Sequence, residues 1–135
     1  MWEKTTGKPI YNAIVWQCRR TAKRCKELKI YAPMIKEKTG LPLDPYFSAT
    51  KIEWLLTNGH KLDINNLCVG TIDTWLIWNL TNGKHHITDH SNASRTMLYN
   101  INTHQFDDDL LALFNIPRHI LPTIVDSSGE LAITD

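Results

Sequence analysis

YFSATKIEWLLTN, residues 46–58, is the stretch whose reading decides the fold. Ser48 is placed to cap a helix from Ala49 to about Thr57, and Asn58-Gly59 is placed to end it. Ile52, Leu55 and Leu56 recur at helical spacing and form its buried stripe. Tyr46, Ser48, Lys51 and Trp54 stand at intervals through the same stretch. Whether they pack a helix or build a site depends on the segments around them.

Upstream, LPLDPYF is an extended loop, because Pro42 and Pro45 each push the preceding residue out of the helical region. YAPMIKEKTG reads as a short helix stopped at Gly40. In QCRRTAKRCKELK, Cys18, Ala22, Cys25 and Leu28 share one helical stripe, with Arg19, Arg20, Lys23, Arg24 and Lys26 elsewhere. WEKTTGKPIYNAIVW reads as a β-hairpin turned at Gly7 and Pro9, its second strand around Tyr11 to Trp16.

Downstream the same grammar returns. NNLCVG is a short apolar run, and Thr71 caps a helix with Asp73 in its first turn, where negative charge suits the helix dipole. Ile72, Trp75, Leu76 and Leu80 follow at helical spacing, and Asn82-Gly83 closes the helix. HHIT is a strand candidate. Asp107 caps a last helix, with Phe106 and Leu111 placed as a hydrophobic staple, and Asn115 to Pro117 ends it. RHILPTIVDSSGELAITD is a turn-rich tail with a final strand. The tally is about four or five helices and three or four short strands, an α/β or α+β pattern.

The chain has 135 residues and a formal net charge of +1. That length fits one domain, and the near-neutral charge gives no electrostatic case for nucleic acid or an anionic membrane. No apolar run approaches the roughly 20 residues of a spanning helix, and no secretory h-region opens the chain. The three cysteines, Cys18, Cys25 and Cys68, include no C-x-x-C pair; Cys18 and Cys25 read as buried, reduced thiols of a cytoplasmic protein. The basic cluster around Arg20 reads as a solvated face or as a set of intraprotein ion-pair donors.

Catalytic signal in the residues themselves is sparse. There is no phosphate-binding P-loop, no G-x-G-x-x-G and no G-x-S-x-G. His86, Asp89 and His90 have ligand-like spacing, but the two histidines share a face only on a helix and Ile87-Thr88 reads as strand. Asp107, Asp108 and Asp109 are explained by a capped helix start. Asp89 suits either an acid/base role at a strand end or a cap for the next turn. No catalytic and no metal-ligating residue is assigned.

PIYNAIVWQCRRT, GLPLDPYFSATKIEWLL, GTIDTWLIWNLTNGK and TDHSNASRTMLYNI resemble, in order, consecutive blocks of the FGGY family of carbohydrate kinases. Tyr46, Ser48, Lys51, Trp54 and Asn58 fall where the family's first signature wants them. Trp16 to Thr21, combined with Asp89 to Thr96, is similar to the glycerol branch of the family. The resemblance covers nearly the whole chain, including FNIPRHILPTIVDSSGE. Ala49 stands where glycine is frequent, and the loop TNGHKLDINNLCV is shorter than usual and lacks its basic run.

The resemblance implies a ribonuclease-H-like, actin-type ATPase domain, here in part: residues 1–135 match the middle of the N-terminal kinase domain. It implies ATP- and Mg2+-dependent phosphorylation of glycerol to glycerol 3-phosphate by the complete protein. Two substrate-binding residues carry over: Trp16, packing on the carbon skeleton of glycerol, and Tyr46, bonding its hydroxyls. A flat indole and a polar-tipped phenol suit those tasks. Lys51 and Trp54 are expected to be structural.

By the same resemblance, the phosphate-binding hairpin and a glycerol-binding arginine-glutamate pair precede this stretch. The Gly-Asp-Gln base block and the nucleotide domain follow it. The expectation is therefore negligible kinase activity and no ATP or Mg2+ binding by the chain alone. Exposed apolar faces then favour self-association or pairing with the remaining kinase segments. The alternatives are a non-catalytic remnant of a decayed or split gene, or a segment of another polyol or sugar kinase.

Overall fold

A computed structural model describes residues 1–59 and 63–135. His60 to Leu62, within the short loop noted above, lie outside the described residues. Six α-helices are formed among the described residues: α1 (Ala22–Glu27), α2 (Ala32–Thr39), α3 (Ser48–Asn58), α4 (Ile72–Leu80), α5 (His90–Ala93) and α6 (Asp108–Leu113). The strands are β1 (Trp2–Glu3), β2 (Leu67–Cys68), β3 (Ile87–Asp89), β4 (Tyr99–Asn100), β5 (Gln105–Phe106) and β6 (Thr123–Val125). They pair two by two. β1 and β2 are antiparallel, β4 and β5 form an antiparallel hairpin, and β3 runs parallel to β6 with Ile87 opposite Thr123. No helix among the described residues is long and apolar enough to cross a membrane.

Several ends fall where local chemistry predicts. Gly40 takes a left-handed φ of 72° and its N–H donates to the Lys36 carbonyl at 2.8 Å, which stops α2. The Asp107 carboxylate accepts from the amides of Asp109 and Leu110 at 3.0 and 3.2 Å, capping α6. Phe106 and Leu111 are both buried in the same core, as a staple requires. Lys38 on α2 grips both oxygens of Asp107 at 2.8 and 2.9 Å, so one carboxylate joins two helices. Burial alone would raise the Asp107 pKa, but bonds from Lys38, Asn100 and the Leu110 amide outweigh it and leave the group below its ordinary value.

The main core gathers Ile35 of α2, Ala49 and Ile52 of α3, Met97 and Leu98 of the turn before β4, Leu110 and Leu111 of α6, and Phe114 and Ile120 beyond it. Trp2, Cys68 and Trp78 form a second, smaller cluster, with Trp75 against it.

Other expectations are corrected. The opening hairpin shrinks to a bridge from Trp2 to Pro9, and Tyr11 to Trp16 forms no strand. β1 instead pairs with β2, Trp2 opposite Cys68, a partner that local sequence does not announce. Ser48 is the first residue of α3 and not its cap; Phe47 holds the cap position in extended conformation. No hydroxyl is needed there, because the Ala49 N–H donates to the Thr96 carbonyl at 2.9 Å. Cys18 precedes α1 and is partly exposed, whereas Cys25 and Leu28 are buried.

The largest departure is α4. Ile72, Leu76 and Leu80 are 68%, 53% and 55% exposed, while Thr74 and Trp78 point inward. Two contacts set this rotation. Trp78 joins the tryptophan cluster, and Thr74 sits so close to Gly70 that a Cβ there would lie 2.4 Å from the Thr74 Cβ. Glycine at 70 is therefore a steric requirement.

Candidate functional site

The irregular segment before α1 and the start of α1 lie along helix α3, and α3 holds them through a row of polar contacts. Thr21 and Thr50 share a buried hydroxyl–hydroxyl bond at 2.8 Å. Arg24 donates to both oxygens of Glu53 at 2.8 Å each, in the paired geometry that makes Arg–carboxylate contacts strong. Asn115 adds a third bond to Glu53 at 3.2 Å. Arg20 stacks its guanidinium 4.5 Å from the Trp54 ring centroid, and Tyr11 meets Trp54 edge-on. Lys51 reaches the Val15 and Tyr46 carbonyls at 3.0 and 2.9 Å.

These contacts explain the residues expected to be structural: Lys51 and Trp54 do tie α3 to its neighbour. They also resolve the basic cluster. Arg24 pairs with Glu53 and, at 3.6 Å, with Glu27, and Arg19 pairs with Asp44 at 3.1 Å, so the intraprotein reading of those arginines holds.

At the end of this row the structure brings Trp16 and Tyr46 together. Their ring centroids are 5.7 Å apart with planes inclined by 50°. Both are open to solvent, Trp16 59% and Tyr46 41% exposed, so neither fills the core. Tyr46 is fixed on its other side. Its N–H donates to Asp44 at 2.7 Å, its ring meets Phe47 edge-on, and Arg95 lies over both rings. The pair is an exposed contact of one indole and one phenol, a flat apolar face beside a polar-tipped ring.

Cys18 is the member of this neighbourhood that sequence reading placed elsewhere. Its thiol accepts a hydrogen bond from Arg20 Nε at 3.0 Å, and this bond leads the causes that lower its pKa, with Lys51 adding to them. Cys25 and Cys68 are raised by burial. All three are free thiols.

The remaining candidates resolve as structure. Asp89 ends β3 and caps α5, accepting from the Asn92 amide at 2.8 Å. Burial pushes its pKa up, but bonds from Ser127, Asn92 and Ser91 outweigh that and leave it low. The His86 Nε2–H donates to the Val69 carbonyl at 2.9 Å among tryptophans, and burial lowers its pKa. His90 instead bonds the Tyr99 hydroxyl at 2.9 Å, so the two histidines serve different clusters. Among the described residues no group of three or more His, Cys, Asp or Glu is placed to hold a metal ion.

A short-stranded α/β chain with an exposed indole–phenol pair defines the class of protein only loosely; its relatives define it further. Residues 1–134 match the N-terminal domain of the FGGY family of carbohydrate kinases, and the chain belongs to that family. Among its relatives are a glycerol kinase 2 of Clostridium tetani, 56% identical over the whole chain, and a glycerol kinase of Borrelia duttonii, 60% identical over 95% of it. The chain spans only 29% and 27% of those two proteins.

The crystal structure of Plasmodium falciparum glycerol kinase with ADP superposes on 99% of the chain with a TM-score of 0.93 at 40% identity. A gluconate kinase from Lactobacillus acidophilus superposes on 86% with a TM-score of 0.75 at 26% identity. The expected fold class holds: the chain is an α/β piece of the actin-like ATPase fold these kinases share.

Proposed function

We propose that this chain supplies part of the glycerol-binding face of an ATP-dependent glycerol kinase, within an N-terminal domain that it fills in part. Trp16 covers the carbon skeleton of glycerol and Tyr46 bonds its hydroxyls. The observation that carries this is the aromatic pair itself: two solvent-exposed rings, an indole and a phenol, with centroids 5.7 Å apart. The glycerol kinases among its relatives at 56% and 60% identity support glycerol over a sugar or sugar acid, since the gluconate kinase stands at 26%. The reading carries a cytoplasmic location with it.

Phosphoryl transfer rests on positioning and on charge stabilisation around the phosphates and their magnesium. The residues described here do not fit that task. The Asp107 carboxylate is engaged by Lys38, Asn100 and amides, Asp89 by Asn92, and no metal-sized cluster forms among the described residues. On this reading ATP and Mg2+ are held by other parts of the complete kinase, and this chain's share of the chemistry is to bind and orient the alcohol. A pair of side chains binds glycerol weakly, and the 135 residues alone give no turnover.

The test is ADP release from ATP with and without glycerol, for the chain alone and mixed with separately expressed flanking kinase segments. Silence alone and glycerol-dependent turnover in the mixture are expected. Turnover by the chain alone overturns the division of labour. Silence in a folded complex favours an inert remnant.

A further inference from the structure

Lys51 is 6% exposed and sits on the face of α3 that packs against the rest of the chain. A buried ammonium is costly unless its donors are used, and among the described residues this one forms no ion pair with a carboxylate. Its Nζ donates to the Val15 carbonyl at 3.0 Å and to the Tyr46 carbonyl at 2.9 Å. Val15 precedes Trp16 in the chain, and Tyr46 is the other half of the aromatic pair. Neither segment belongs to a helix or strand; the Val15 carbonyl also accepts from the Cys18 N–H at 3.1 Å, a bond within its own segment that does not tie it to Tyr46. The exposed Arg19–Asp44 pair also links the two segments, but at 63% and 37% side-chain exposure it is screened by water and salt.

We propose that Lys51 is a positioning residue: its ammonium clamps the backbone at Val15 and Tyr46, and so sets the spacing of Trp16 against Tyr46. The charge has its cost. Burial lowers the Lys51 pKa and Arg20 lowers it further, while Cys18 and Asp44 oppose them. A methionine would fill the same space without that cost, so the two donated bonds are what the lysine adds. The inference rests on the glycerol reading of Trp16 and Tyr46 only for its consequence, not for the clamp itself.

Two substitutions separate clamp from filler. If Lys51 only fills space, Lys51→Met is the milder change; if it donates, Lys51→Arg is, because arginine keeps charge and donors. The readout is the Trp16–Tyr46 ring–ring NOE in the 135-residue chain, alongside a thermal melt and the glycerol-induced shift of the Trp16 indole N–H. Loss of the NOE in Lys51→Met and its retention in Lys51→Arg are expected, with glycerol affinity falling about tenfold in the first.

An intact NOE in Lys51→Met overturns the proposal, as does its absence from the unsubstituted chain. Equal unfolding of both variants makes Lys51 a core residue and overturns it too. If the NOEs follow the expected pattern but glycerol shifts nothing, the clamp stands and the substrate reading falls.

Discussion

Helices α3 and α4 are written in the same sequence grammar and fold to opposite ends. The more polar α3 buries Thr50, Lys51 and Glu53 beside Ala49, Ile52 and Leu55, each polar group with a partner. The more apolar α4 leaves Ile72, Leu76 and Leu80 in solvent. Apolar periodicity therefore names a face and not the element that covers it. What distinguishes the buried helix is that its polar side chains find complementary groups on a second segment.

The sharpest way to break this contrast is to truncate one apolar residue on each helix. Ile52→Ala removes a 6% exposed side chain from the core and should cost about 3 kcal/mol in urea unfolding of a folded preparation. A loss under a third of that would mean α3 is not packed as described. Next comes Glu53→Ala, which strips Arg24 and Asn115 of their shared acceptor and should cost about 2 kcal/mol by the same measurement.

A reactivity comparison sharpens the contrast chemically. Cys18, with Arg20 on its sulfur, should react with iodoacetamide about tenfold faster than Cys25 or Cys68, read by peptide mass mapping. Because its thiolate forms below the ordinary thiol value of 9.0, its labelling should persist as pH falls toward neutrality while that of the other two fades. Equal rates would remove the arginine's influence. The smallest effect belongs to Leu76→Ala: at 53% exposure on α4 it should change stability by no more than about 0.5 kcal/mol. A large loss there would show that the exposed face is covered in solution.

Much of the fold was legible where a single residue type enforces a local geometry. Gly40 stops α2 because it takes the left-handed conformation, and Asp107 starts α6 because its carboxylate meets two amides. The β4–β5 hairpin was not legible, since its turn has no glycine; His104 supplies the positive φ of 56° instead. The β1–β2 pair was hidden because its two strands are two residues each and far apart in sequence. At the site, Trp16 and Tyr46 came from resemblance alone, and composition would have sent both indoorward. Lys51 was read as structural, which its burial bears out; its two carbonyl partners carry no sequence signal, because backbone oxygens are the same at every residue.

The parallel pairing of β3 with β6 sets an order of events during synthesis. Ile87–Asp89 emerges from the ribosome well before Thr123–Val125, and the whole run through α5, the β4–β5 hairpin and α6 must appear before the partner strand exists. Until then β3 has an open edge, and the residues between are free to settle locally first. A nascent chain stalled before Thr123 should hold its hairpin and its Asp107 cap while β3 waits unpaired, so this closure follows the local structure between the two strands.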